Sequence, residues 1–330
     1  MTRPVKIAGL ATYVPPHVLT NADLERMVDT SDEWILQRTG IRERHIADKG
    51  VGTSDLAAPA SLEAIKEAGL TPADIGFIVV GTTTPDTIFP STACRLQSKI
   101  EAVNAWGFDL GAACSGFTYS LSVGYQMVAT GAVEHALVVG ADVMSSIIDY
   151  TDRATCVIFG DGAGAAVLSP AGPGEPCILD FCHITDGTGG PALQMPAGGS
   201  IMPASHETVD QKLHFVKQDG QTVFKFAVKM TEEISRRILV RNKLTAADLD
   251  LFVSHQANRR IIEAGTSRLG IDPRKVVINL ERYGNTTAGT IPLALADARK
   301  DGRLKKGDLV LLASVGAGFT VGSVLLRWSL

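Results

Sequence analysis

One feature constrains this 330-residue chain above all others: its run of buried-strand patterns occurs twice. In the first half the apolar, β-rich stretches are "IGFIVVG" (75–81), "AWGFDLG" (105–111), "ALVVGADV" (136–143) and "GAAVLSP" (164–170). In the second half "LDLFVSH" (249–255), "KVVINL" (275–280), "GDLVLLASVG" (307–316) and "GSVLLRW" (322–328) answer them in the same order. Setting Val80 on Val253, Asp109 on Asn279 and Gly140 on Ser314 gives offsets of 173, 170 and 174 residues. Helical patterns such as "STACRLQSKI" (91–100) and "GFTYSLSVGYQMVATG" (116–131) lie between the strands. Continuous apolar runs alternating with helices predict an α/β fold with mainly parallel sheets covered on both faces. The repetition predicts two similar halves, residues 1–172 and 173–330, with a site where equivalent strand ends meet.

Reactive side chains fall where that site is expected. Cys114 follows the second strand of the first half, in "DLGAACSGF". His255 ends the first strand of the second half ("SHQANRRII"), and Asn285 follows the second ("YGNTTAGTIP"). A cysteine at a helix N-terminus gains thiolate character from the helix dipole, which predicts a lowered pKa for Cys114. The other cysteines lack that context: Cys156 lies in an apolar strand pattern and Cys94 on a helix face, while Cys177 and Cys182 have no activating neighbours. A Gly-rich loop, "SVGAGFTVGS" (314–323), offers backbone N–H groups to a developing oxyanion. The Gly-, Pro- and Ser-rich start of residues 185–218 interrupts the strand rhythm and reads as a loop insertion, either a lid or substrate-channel wall or a surface excursion.

Composition narrows the classes. Lys and Arg number 31 against 35 Asp and Glu, a net charge of −4 that does not suggest a nucleic-acid partner. No stretch reaches the roughly 18 apolar residues of a membrane span. The N-terminal apolar stretch is short and interrupted by Pro, unlike an export signal, which favours a cytoplasmic location with reduced thiols. No Cys/His cluster has zinc-ligand spacing, so no metal is expected. In "FGDGAGAAV" the glycines miss the dinucleotide spacing and lead into a strand.

Six stretches together resemble the thiolase-like condensing enzymes, and among them the beta-ketoacyl-acyl carrier protein synthase III family. They are "TNADLERMVDTSDEWILQRTGIRERHI", "AACSGFTY", "TDRATCVIFGDGAGAAVL", "HQANRRII", "YGNTTAGTIP" and "GAGFTVGS", and they run nearly end to end. The resemblance implies a thiolase-like fold of two duplicated halves in αβαβα layers and a Cys-His-Asn triad of Cys114, His255 and Asn285. Cys114 would take a short acyl group, acetyl above all, from acyl-CoA. His255 and Asn285 would then assist decarboxylation of malonyl-acyl carrier protein, whose carbanion attacks the acyl-enzyme to release a 3-ketoacyl-acyl carrier protein. The backbone N–H groups of Cys114 and Ala317 would form the oxyanion hole. The loop reads Gly-Ala-Gly here where relatives commonly have Gly-Gly-Gly, which predicts a more restricted backbone at 317.

The same resemblance assigns Trp34 and Arg153 to the coenzyme A adenine, Arg38 to a phosphate and Asn258 to the pantetheine arm. It places Lys225 and Arg260 at carrier-protein docking, and Phe89 and Met144 at the acyl pocket. It implies a homodimer in which the segment bearing Phe89 closes the partner's pocket, and acyl-CoA as substrate with no permanently bound cofactor. Within the wider fold, a thiolase needs a second cysteine near the C-terminus, whereas the last one here is Cys182. A hydroxymethylglutaryl-CoA synthase needs a Glu near "GTTTPDTIFP", where the only acid is Asp86. Elongating synthases carry a second His where this chain has Asn285. Two readings remain beside fatty-acid initiation: a specialised condensing enzyme or acyltransferase with the same triad, and a binding module with a decayed site, which the intact triad argues against.

Overall fold

The computed structural model describes residues 2–330. Among them, nine strands form the two main sheets: β1 (Val5–Tyr13), β2 (Phe77–Gly81), β3 (Trp106–Leu110), β4 (Ala136–Asp142), β5 (Gly162–Pro170), β6 (Ile178–Thr185), β7 (Leu251–Ser254), β8 (Leu309–Gly316) and β9 (Thr320–Arg327). The helices that frame them are α1 (Asp32–Thr39), α2 (Thr53–Glu67), α3 (Thr92–Lys99), α4 (Gly116–Ala129), α5 (Gly220–Arg241), α6 (Arg259–Leu269) and α7 (Thr290–Lys300). Sheet one runs β1-β5-β4-β2-β3 and sheet two β6-β9-β8-β7.

The sheets are mixed rather than mainly parallel. Within them β2–β3, β2–β4 and β7–β8 pair in parallel, whereas β1–β5, β4–β5, β8–β9 and β6–β9 are antiparallel. Strands buried on both faces read as continuous apolar runs whatever their direction, so the pattern reveals burial and not polarity.

The duplication reaches the level of register. Ile78 pairs with Leu137 in sheet one and Leu251 with Val310 in sheet two, equivalent pairs 173 residues apart. One expected counterpart is missing: residues 275–280 form no strand. After a 3-10 turn at Pro273–Lys275, Val276 makes a single bridge to Phe252. The buried Gln256 side chain then takes up the backbone, donating to the carbonyls of Ser254 and Val277 and accepting from the N–H of Asn279. A side chain thus satisfies groups that a longer ladder would have paired.

Five layers result. α2 covers the outer face of sheet one and α5 that of sheet two, while α4 and α7 are sandwiched between the sheets. The middle layer holds the largest core: Phe117, Leu121 and Val128 of α4 and Ile291 and Leu295 of α7 meet Phe77 and Val79 on one side and Val253, Leu312 and Val324 on the other. Burying each such side chain contributes about 1.5–3 kcal/mol.

Both central helices begin with a 3-10 turn, Ala113–Ser115 before α4 and Thr287–Gly289 before α7. Each turn starts on a left-handed non-glycine residue, Ala113 at φ +47° and Thr287 at φ +50°. These residues stand 174 positions apart, so the two halves share one strained lead-in, and the two turns touch. The second turn also packs closely on β4 because position 140 is a glycine: a Cβ there would lie 2.4 Å from the Ala288 carbonyl oxygen.

Candidate active site

Cys114 sits in the first of these turns, buried beneath a cavity of about 700 Å³. His255, just beyond β7, and Asn285, just before the second turn, line the same cavity. The three reactive side chains singled out in the sequence therefore converge. Trp34, Arg38, Lys225, Asn258 and Arg260 also line it, and the exposed Arg38, Lys225 and Arg260 mark its mouth. Leu193 and Gln218, near the two ends of the 185–218 insertion, form part of the wall; Ile201 in its middle is fully open to solvent.

Each reactive side chain is held from behind. The Asn285 Oδ1 accepts from the Thr287 backbone N–H at 2.9 Å, which fixes the amide orientation and leaves its NH₂ as the free donor. Thr287 is itself tied to the carboxylate of Asp142, through its hydroxyl, and the Ala288 N–H reaches the same oxygen at 3.2 Å. His255 receives a backbone anchor from its N–H to the Ala313 carbonyl, and its Nδ1 lies 2.7 Å from the Thr290 hydroxyl. Nε2 is then the ring nitrogen left for an occupant of the cavity. Burial pulls the His255 pKa down to about 3, so the imidazole is neutral at physiological pH.

The expected lowering of the Cys114 pKa is not found. Desolvation and the negative charge of Asp142 push the thiol up to about 12, outweighing its own backbone N–H and the Asn285 side chain, which favour the thiolate. A helix terminus has less influence than removal from water when the sulfur is fully enclosed. Cys114 rests as a neutral thiol.

The Gly-rich loop behaves differently from expectation at 317. Ala317 lies outside the left-handed region, and the positive φ falls on Gly318 at +135°. Alanine therefore brings no backbone penalty. The demanding position is Gly316, where a Cβ would come within 2.8 Å of the Cys114 nitrogen.

Four other placements refine the sequence reading. The Arg153 guanidinium lies 5.0 Å from the centre of the Trp34 ring and Arg38 5.9 Å from it, so Trp34 carries both cations. Arg153 itself does not line the cavity; it starts a short helix, Arg153–Cys156, and donates to the Asp29 carbonyl. Asn258 caps α6 through Oδ1 and donates from Nδ2 to the Arg38 carbonyl, leaving one amide hydrogen for a ligand. Neither Phe89 nor Met144 lines the cavity within this chain. Met144 is buried in one apolar cluster with Leu19, Ile148 and Cys156; Phe89 and Ile88 are 85% and 83% exposed. Sequence reasoning missed Asp142, Gln256, Thr287 and Thr290, polar residues set inside apolar or capping patterns that carry no motif signal.

The matching families are described as "3-Oxoacyl-[acyl-carrier-protein (ACP)] synthase III", over residues 108–187, and its C-terminal counterpart, over residues 239–328. The beta-ketoacyl-[acyl-carrier-protein] synthase III of Koribacter versatilis (strain Ellin345) is 57% identical over 99% of this chain and 98% of its own. The chain belongs to this synthase III family. The protein of the same description from Solibacter usitatus (strain Ellin6076) is 56% identical over 98% of both chains. The crystal structure of 3-oxoacyl-[acyl-carrier-protein] synthase III from Aquifex aeolicus VF5 superposes with a TM-score of 0.90 at 40% identity, covering 98% of this chain and all of that one. Membership confirms the thiolase-like α/β fold. No helix among the described residues is long and apolar enough to cross a membrane.

With burial and Asp142 holding the thiol up at about 12, Cys114 is almost wholly protonated at pH 7 and its thiolate fraction grows tenfold per pH unit. Alkylation of Cys114 by iodoacetamide in the unliganded protein should accordingly climb through pH 9 without levelling. A plateau below pH 8, read by peptide mass spectrometry, would show that the resting thiol is not raised.

Proposed function

We propose that the chain catalyses the condensing step that initiates type II fatty-acid synthesis, with Cys114 as the acyl carrier and His255 and Asn285 as the paired donors. The observation that carries this is the convergence of a buried thiol, a neutral imidazole and an amide with its NH₂ free on the base of one cavity. In loading, the Cys114 sulfur bonds to the acyl carbonyl carbon of acyl-CoA. The C–S bond to coenzyme A breaks, and the thiol proton leaves on the released coenzyme A. The N–H groups of Cys114 and Ala317 hold the oxyanion.

In condensation, malonyl-acyl carrier protein loses CO₂ and its thioester becomes an enolate. Two neutral donors, His255 Nε2–H and the Asn285 amide, stabilise that oxygen without giving up a proton to the carbanion. The carbanion attacks the acyl-Cys114 carbonyl, the C–S bond breaks, and Cys114 recovers its proton from solvent. Acetyl is the favoured acyl group, and no permanently bound cofactor takes part.

At the mouth, Trp34 and Arg153 would take the adenine, Arg38 a phosphate and Asn258 the pantetheine. Stacking a planar base between Trp34 and Arg153 needs about 7 Å between the two groups, two contacts of about 3.5 Å, so the pair must open from its 5.0 Å separation to admit it. Lys225 and Arg260 supply positive charge to an acidic carrier protein, against the chain's net −4. The halves 1–172 and 173–330 act as one catalytic unit in the cytoplasm.

A second copy of the chain completes this reading. β3 is an edge strand of sheet one with Trp106 52% exposed, and the apolar Ile88–Phe89 pair is almost fully open. Unpaired edges and apolar patches of this kind are normally covered. Phe89 would then close the partner's acyl pocket. Sedimentation at micromolar concentration should give twice the 34.9 kDa chain mass; a fully active monomer would contradict the assembly.

The division of labour is tested by Asn285→Ala. Losing one enolate donor should slow condensation about 10²–10³-fold, while single-turnover loading from acetyl-CoA stays near the parent rate. Equal losses in both steps would mean that Asn285 only holds the site together.

A further inference from the structure

Among the described residues the Thr290 hydroxyl is the sole partner of His255 Nδ1, at 2.7 Å, and it is buried behind the imidazole and outside the cavity lining. It has one hydrogen and two acceptors within reach: His255 Nδ1 and the Thr287 carbonyl at 3.0 Å. The destination of that hydrogen decides the tautomer. Donation to Nδ1 puts the ring proton on Nε2, facing the cavity. Donation to Thr287 leaves Nδ1 to carry the proton and Nε2 as a bare lone pair. The two arrangements are an enolate donor and an enolate repellent.

We infer that Thr290 is a positioning residue that selects the Nε2–H tautomer of His255 by donating its hydroxyl hydrogen to Nδ1. The inference rests on the reading above, in which His255 donates to the enolate. Two features favour it. The Nδ1 contact is the shorter of the two. Thr287 is also fixed independently, by the Asp142 carboxylate, so its turn does not need the Thr290 hydrogen to keep its place. A neutral imidazole is required for a tautomer to matter, and the buried His255 is neutral. Thr290 sits at the first position of α7, immediately after the strained Thr287–Gly289 turn, so the fold places its hydroxyl with little freedom.

The test is a comparison of Thr290→Val, of similar shape without the hydroxyl, with Thr290→Ser, which retains it. Condensation of acetyl-Cys114 with malonyl-acyl carrier protein should fall at least about tenfold in Thr290→Val, with loading from acetyl-CoA near the parent rate, and should recover in Thr290→Ser. Nitrogen-15 NMR of histidine-labelled parent protein should report His255 protonated on Nε2. This measurement decides the matter even where the valine variant does not fold. Normal condensation in Thr290→Val, equal losses in both steps, failure of serine to rescue, or an Nδ1–H signal in the parent would each overturn the inference. A His255→Ala control separates the two levels. If it condenses normally, the donor role of His255 is wrong; if it fails while Thr290→Val works, only the role of Thr290 is wrong.

Discussion

Asp142 ends β4 as a fully buried carboxylate with no cationic partner among the described residues, and both halves of the molecule hang on it. One oxygen collects the hydroxyls of Thr82, Thr83 and Thr84 and the N–H groups of Thr83 and Thr84, all in the loop after β2. The other takes the Thr287 hydroxyl and the Ala288 N–H from the turn before α7. A buried charge survives only when so fully hydrogen-bonded, and removing a partner costs several kcal/mol. The carboxylate therefore sets the 285–290 turn against the first half. From that turn come the Asn285 amide, oriented by the Thr287 N–H, and the Thr290 hydroxyl behind His255.

The site so assembled is electrically quiet at rest. His255 is neutral because water is excluded, and Cys114 stays a thiol because burial and Asp142 both oppose its charge. Beyond the resident Asp142 carboxylate, the proposed mechanism adds negative charge there only when a thioester carbonyl becomes an oxyanion or an enolate. Donors fixed in advance then act at low dielectric without reorganising. The cost is a nucleophile that rests as a neutral thiol, which limits side reactions of the free thiol.

The duplicated core was legible because buried strands write themselves as apolar runs, and register repeats at 173 residues because both sheets obey one plan. Strand direction was not legible, since burial looks alike in parallel and antiparallel ladders. Nor was the loss of the strand at 275–280, which depends on the Gln256 side chain capturing backbone groups far along the chain. Cys114, His255 and Asn285 stood out as reactive residues at strand ends. Asp142 and Thr290 did not: one hides at the end of the apolar run "ALVVGAD", the other at an ordinary helix start. Their roles exist only once the two halves meet. The Cys114 pKa likewise follows from enclosure, a property of the fold and not of the helix start that the local sequence announces.

The central claim is that Cys114, and none of Cys94, Cys156, Cys177 or Cys182, carries the acyl group between two half-reactions. Peptide mass spectrometry of the intact wild-type chain after acetyl-CoA, before and after addition of malonyl-acyl carrier protein, tests it directly. One acetyl group should appear on the Cys114 peptide and disappear as 3-ketobutyryl-acyl carrier protein forms. Product formation with Cys114 unmodified throughout, or with the acetyl group on another cysteine, would contradict it.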